Sequence, residues 1–161
     1  MILSATGHRP DKLGGYSDAV AWNLRVLARN HMMIVKPRHV ISGMALGWDQ
    51  AWAEAALDLS IPFIAAVPFP GQQSRWPADS QRRYEKLLEA AAKVVTIAET
   101  YSAYAMQKRN EWMVDNSDLV VALWDGSSGG TGNCMAYALR KAKPTVNLWP
   151  IWSGDFEALF T

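Results

Sequence analysis

The stretch Asp118–Ala142, DLVVALWDGSSGGTGNCMAYALRKA, decides the fold. Its first part, DLVVALW, is a short apolar run of the length and composition of a buried strand. Its last part, from Thr131 to Ala142, has apolar residues at helical spacing. Between them lie three glycines and two serines, and Gly132 follows Thr131. A strand that turns into a helix through such bare backbone is half of a βαβ unit. Glycines at that corner let an anion approach main-chain N–H groups, and the positive end of the helix dipole favours it there. Thr131 is the expected N-cap.

The same alternation runs through the rest of the chain. Ile2–Thr6, His39–Ser42, Phe63–Val67, Lys93–Ile97 and Thr145–Trp149 read as further strands. Helices are expected at Ser17–Val35, Trp48–Leu59, near Asp79–Ala92 and at Ser102–Asn116. In the first, Val20, Leu24, Leu27, His31 and Ile34 form the expected core stripe. Strand and helix in alternation imply right-handed crossovers. The fold class is therefore α/β and Rossmann-like, a mostly parallel sheet of about six strands with helices on both faces. Residues 1–161 are expected to make a single domain.

Composition narrows the function. Half the residues are hydrophobic and the formal charge is +1, as in an ordinary soluble globular protein. No basic block supports electrostatic binding of nucleic acid, so that partner is not expected. The single cysteine, Cys134, excludes an internal disulfide and suits a reducing compartment. No signal peptide or membrane span is expected, and the expected location is the cytoplasm. The three histidines lack metal-ligand spacing, so neither a metal nor any other required cofactor is expected. Cys134 has no activating partner in the sequence and reads as packing.

In a sheet of this kind ligands bind outside the carboxyl ends of the strands. Four loops lie there. The first, TGHRPDKLGGY, offers Thr6, Gly7, His8 and Arg9 to a phosphate or sugar. The second, SGMALGWDQ, offers Ser42, Gly43, Met44 and Gly47 as an opposing wall. Asp49, in the first turn of its helix, is placed to bind ribose hydroxyls or act as a base. The third, PFPGQQSRWP, is long enough to act as a lid, with Phe69 or Trp76 stacking on a base. The fourth ends in Gly129, Gly130 and Thr131, the phosphate cradle, with Asp125 as a further candidate base. The G-x-G-x-x-G fingerprint and the Walker A lysine are both absent.

TGHRP, SGMALGWDQ, IPFIAAVPFPGQ, QKRNEWMVDNSD and WDGSSGGT, in that order, resemble the YpsA-like branch of the SLOG superfamily of Smf/DprA and LOG proteins. The resemblance covers nearly the whole chain. It implies a Rossmann-like fold that binds a nucleotide or nucleotide-derived molecule, with phosphate at Gly129–Thr131. It also implies that Arg109 and Asn110 border the pocket, and that a homo-oligomer, as among LOG relatives, is one arrangement available. LOG enzymes carry P-G-G-x-G-T-x-x-E. Here Gly130 and Thr131 match the G-T, but Cys134 stands at the glutamate position. A thiol cannot stabilise an oxocarbenium-like centre as a carboxylate does.

The expected function is binding of a small nucleotide, including its sequestration as a phage-encoded sponge for a signalling nucleotide. The alternatives are a nucleotide hydrolase or N-glycosidase with Asp49 or Asp125 as base, and a single-stranded nucleic-acid-binding module.

Overall fold

The computed structural model describes residues 1–154. Six strands form one parallel sheet: β1 (Ile2–Gly7), β2 (His39–Ser42), β3 (Phe63–Val67), β4 (Lys93–Thr96), β5 (Leu119–Leu123) and β6 (Thr145–Asn147). Their order across the sheet is β4-β3-β2-β1-β5-β6. The connecting helices are α1 (Asp18–Val35), α2 (Trp48–Asp58), α3 (Ala78–Ala90), α4 (Ala103–Asp115) and α5 (Gly130–Arg140). A 3-10 turn at Pro10–Lys12 follows β1, and α6 (Trp149–Ser153) follows β6.

Successive strand residues point to opposite faces, and here they divide the core in two. Leu3 and Ala5 of β1, Phe63 and Ala65 of β3 and Val121 and Leu123 of β5 pack with α1, α2 and α3. Ile41 and Ala66, one step along their strands, meet Met113 of α4 instead. Val120 meets Cys134 and Ala138 of α5. Both faces of the four central strands are thus covered, which is why they read as continuous apolar runs.

Helix α2 is buried almost all round. Trp48 and Trp52, with ring centroids 5.7 Å apart, and Ala51, Ala53, Ala55 and Ala56 are all inaccessible to solvent. The alanines let α1 approach from one side while the sheet packs on the other. Helix α1 therefore turns Leu24, Ala28 and Met32 inward. The expected stripe is corrected at Ile34, which is 81% exposed. His31 sits at the margin against Trp52, and burial lowers its pKa. Glu54 of α2 receives Arg25 of α1 at 3.1 Å and also Arg83 of α3, tying the three helices together.

The chain also departs from expectation after β6. The expected strand ends at Asn147, whose Oδ1 accepts from the backbone N–H groups of Trp124 and Trp149, each at 3.1 Å. That side chain turns the backbone, and Pro150 favours the first turn of α6.

The connections from β1 lead outward through β2 and β3 to β4, and those from β5 lead the other way. The direction reverses between β1 and β5, where Gly7 lies opposite Leu123. The loops leaving these two strands diverge and leave a crevice, the position at which open α/β sheets bind ligands.

Candidate functional site

A cleft of about 370 Å³ occupies that crevice. One wall is the β1 loop, with Thr6, Gly7, His8, Arg9 and Lys12. The facing wall is the β5 loop and the start of α5, from Ser127 to Gly132. Asp49 of α2 and Arg109 and Asn110 of α4 also line it.

The α5 end leaves its first backbone donors without a side-chain partner. The N-cap is Gly129, with φ +141°, and no side chain caps the helix. This corrects the expectation for Thr131, which is the second residue of the helix. Asn133 N–H is the first amide to find a helical carbonyl, that of Gly129. The amides before it open toward the cleft, at the positive end of an eleven-residue helix. A Cβ built on Gly130 would meet nothing, so the space above it is free. Lys12 Nζ reaches Ser127 Oγ at 2.8 Å and holds a cation beside this corner.

His8 and Asp125 brace the opposite rim. His8 Nε2 lies 2.8 Å from Asp125 Oδ1, and the His8 ring stands edge-on to Trp149. Hydrogen bonds from Ser127, and then His8, hold the Asp125 carboxyl below the usual carboxylate range. Asp125 therefore shapes its own loop. It does not line the cleft, and so low a pKa makes it a poor base.

The second loop does not form the exposed wall expected of it. Ser42, Gly43 and Met44 are buried beneath the cleft. Ser42 Oγ donates to the Asp49 carbonyl at 2.7 Å and accepts from Met44 N–H. The Gly43 carbonyl accepts from Arg109 Nη1 at 2.5 Å. A Cβ on Gly43 would fall 2.8 Å from Arg109 Nη1 and 3.0 Å from Asp49 Oδ2, so the glycine leaves room for both charges. Gly47 caps α2 with φ +90°, and a Cβ there would strike the His8 carbonyl at 2.6 Å. The Trp48 N–H donates to that carbonyl. These residues support the floor, and the first amide of α2 is already spent.

Asp49 and Arg109 are the two buried charges of the floor. Asp49 is 5% exposed, and burial pushes its carboxyl up to about 6 despite the nearby Arg109. Its Oδ2 accepts from Ala45 N–H at 3.3 Å. Its Oδ1 has no donor among the described residues. Arg109 is as deeply buried; its Nε donates to Asn110 Oδ1 at 2.9 Å. Burial lowers its pKa from the ordinary arginine range.

A second chamber of about 760 Å³ adjoins the cleft and shares Arg9, Met106, Asn110 and Gly130 with it. Phe69 and Trp76, the expected stacking residues, line it together with Tyr101. Phe69 and Tyr101 pack edge to face at 5.3 Å. Sequence reading missed Tyr101, Met106 and Lys12. Lys12 was legible as a second cation in the loop that holds Arg9. Tyr101 and Met106 precede or open a helix with no motif of their own.

Cys134 packs with Val114, Val120 and Ala138. Burial pushes its thiol up to about 11, with the Thr6 hydroxyl opposing. It is uncharged at neutral pH and behaves as a small apolar residue. Cys134→Ala is expected to cost about 1 kcal/mol of stability and leave ligand affinity unchanged. Urea unfolding and calorimetry read the two effects separately, and a loss of affinity would count against the packing role.

The YpsA family of the SLOG group matches residues 3–157 of this sequence. The chain belongs to the YpsA-type SLOG family. Within that setting, the SPbeta prophage-derived protein YoqJ of Bacillus subtilis (strain 168) is 38% identical over 126 residues, covering 68% of this chain and 73% of YoqJ. Among solved structures, the DNA processing protein A of Helicobacter pylori superposes with a TM-score of 0.66 at 18% identity, over 91% of this chain and 64% of its own. This SLOG chain thus spans less than two thirds of that DprA. The molybdenum cofactor carrier protein of Chlamydomonas reinhardtii gives 0.60 at 18% identity, over 98% and 83%. At these identities the structural likeness establishes the shared Rossmann-like fold. Among the described residues of this SLOG protein, no helix is long and apolar enough to cross a membrane.

Proposed function

We propose that the protein binds a phosphorylated nucleotide or nucleotide-derived molecule across the two connected cavities. The observation that carries this reading is the uncapped start of α5, open to a cleft that also holds Arg9 and Lys12. The phosphate rests on the amides at Gly129–Thr131 and the base enters the chamber of Phe69, Trp76 and Tyr101. Aromatic faces favour planar rings, and helix N-termini favour anions. The combined space suits a molecule with two dissimilar ends. The prophage origin of YoqJ supports sequestration of a signalling nucleotide as the use of such binding.

Gly130→Val tests the cradle. The valine has room to fold, since nothing lies near the added Cβ, but it fills the anion's approach. Affinity for the tightest ligand in a panel of nucleoside phosphates and dinucleotides should fall by at least about tenfold, or 1.4 kcal/mol. A folded variant that binds as the parent does would remove this loop from the site. The same titrations, followed by recovery of the ligand, separate binding from turnover: a sequestering protein returns its ligand unchanged.

The single-stranded DNA binding named for the Helicobacter pylori DprA supports a second reading, binding of single-stranded nucleic acid. Such binding weakens steeply with salt. An oligonucleotide that binds with a steep salt slope and displaces the nucleotide would favour it over the first.

A further inference from the structure

We propose that Arg75 forms a second anion subsite, so that the ligand carries two phosphate groups separated by a nucleoside, as in a 5′-phosphorylated dinucleotide. The inference rests on the anion-site reading above and adds a second charge requirement to it.

The two cavities differ in charge. The cleft is lined by charges of both signs, Arg9, Lys12 and Arg109 with Asp11 and Asp49. Among the described residues, Arg9 and Arg75 are the only charged side chains that line the chamber. Neither has an ion-pair partner among the described residues. Two cations bordering one partly enclosed space, with no carboxylate to offset them, favour an anion there. Arg9 stands at the junction, since it lines both cavities, whereas Arg75 lines the chamber alone. A phosphate at the start of α5 shares the cleft with Arg9. The charge of Arg75 is left for a second anion, on the chamber side.

The backbone that carries Arg75 is pinned. Gln81 of α3 donates from Nε2 to the carbonyls on either side of Arg75, Ser74 at 3.3 Å and Trp76 at 2.9 Å. Ser74 N–H donates to the Gly71 carbonyl and Trp76 N–H to the Gln73 carbonyl, each at 3.0 Å. The Trp76 ring stands edge-on to Tyr84 at 5.3 Å, and Gln72 donates to the Tyr84 hydroxyl at 3.1 Å. A side chain on so fixed a loop loses less freedom on binding than one on a loose loop. Its guanidinium can take two oxygens of one phosphate group.

Size decides the class of ligand. Sites for whole small molecules begin near about 300 Å³, and the chamber has about 760 Å³. A single base leaves most of that space unfilled. A second nucleoside fills it, and the phosphodiester that joins it supplies the anion for Arg75. Phe69, Trp76 and Tyr101 line the same space and suit successive planar rings. A nucleoside triphosphate would instead crowd its charge beside the first phosphate and leave Arg75 unpaired.

The probes are inorganic phosphate and the common ribonucleoside 5′-monophosphates, 5′-triphosphates and 5′-phosphorylated dinucleotides, titrated by calorimetry into the parent and Arg75→Ala. Arg75 is exposed, so its truncation leaves the fold intact. The parent should bind its best dinucleotide at least about tenfold more tightly than the matching monophosphate. Arg75→Ala should reduce that advantage to under about threefold and leave monophosphate affinity unchanged. Equal binding of monophosphates and dinucleotides by the parent overturns the proposal. So does an advantage that survives Arg75→Ala, or a triphosphate that gains as much as the dinucleotide. Affinity that keeps rising with longer oligonucleotides and falls steeply with salt overturns it in favour of strand binding. If no probe binds the parent, the anion-site reading falls and this proposal with it. If monophosphates bind and dinucleotides gain nothing, the first site stands and the second alone is lost.

Discussion

Gly7→Ala is expected to lower the unfolding free energy by about 3 kcal/mol, the upper part of the range for overpacking a tight core. The added Cβ would lie 2.4 Å from Trp48 Cδ1 and 2.7 Å from Trp48 Cβ and Cγ. Trp48 has no room to yield. It is fully buried, packs at a tilt against Trp52 and donates from Nε1 toward the Val121 carbonyl at 3.4 Å. Relief requires α2 to move off the sheet, which loosens the floor of the cleft as well. For a chain of this size the melting temperature should drop by roughly 6–12 °C. Gly130→Ala is the control, because its Cβ meets no atom and its effect should stay within about 1 kcal/mol. A Gly7→Ala protein that melts with the parent would mean that Trp48 is not packed as described.

The second large effect is a dependence of stability on pH that is centred on Asp49. Its carboxyl titrates near 3.8 in an unpacked chain and at about 6 in the fold, raised by burial. Between these values the folded state holds a proton that the unfolded state has released. Stability from this group is therefore greatest below about pH 4 and declines as pH rises to about 6. The loss amounts to about 3 kcal/mol by linkage. Asp58 and Asp125 have lowered pKa values and act in the opposite direction, losing stability as pH falls. A comparison of parent with Asp49→Asn cancels them. Urea unfolding from pH 4 to 7 should show the variant gaining on the parent as pH rises, by about 3 kcal/mol at pH 7. A constant difference across that range would place the Asp49 carboxylate in an environment unlike the one described here.

Much of this was legible in the sequence because local chemistry and tertiary position agreed. The apolar runs at Ile2–Thr6 and Leu119–Leu123 form central strands largely buried on both faces, the setting in which parallel strands read this way. The glycines at 129 and 130 announced the bare strand-to-helix corner at the start of α5. Other features were set by partners remote in sequence. Ile34 lies at helical spacing from Leu27 and His31, yet α1 packs chiefly against α2, which turns Leu24, Ala28 and Met32 inward instead. Ser42, Gly43 and Met44 occupy a strand-end loop, the usual place for ligand contacts. The long guanidinium of Arg109 takes the carbonyl of Gly43 and turns that loop into support. Thr131 has the chemistry of a cap, but Gly129 starts the helix earlier because it reaches a φ that threonine avoids.

The central place of β1 governs when the protein can work during its own synthesis. β1 pairs on one side with β2, which follows soon after it, and on the other with β5, from Leu3 opposite Leu119 to Gly7 opposite Leu123. A ribosome adds about 5–20 residues per second. The first strand is thus made many seconds before its second neighbour, and until then it is the bare margin of a four-stranded half. Margins of that kind recruit other chains. Arg9 and Gly130, which line the same cleft, likewise come together only after residue 130 has been made. Under the proposed function, a ligand present during translation would find no complete site on the nascent half, and would stabilise only the finished chain.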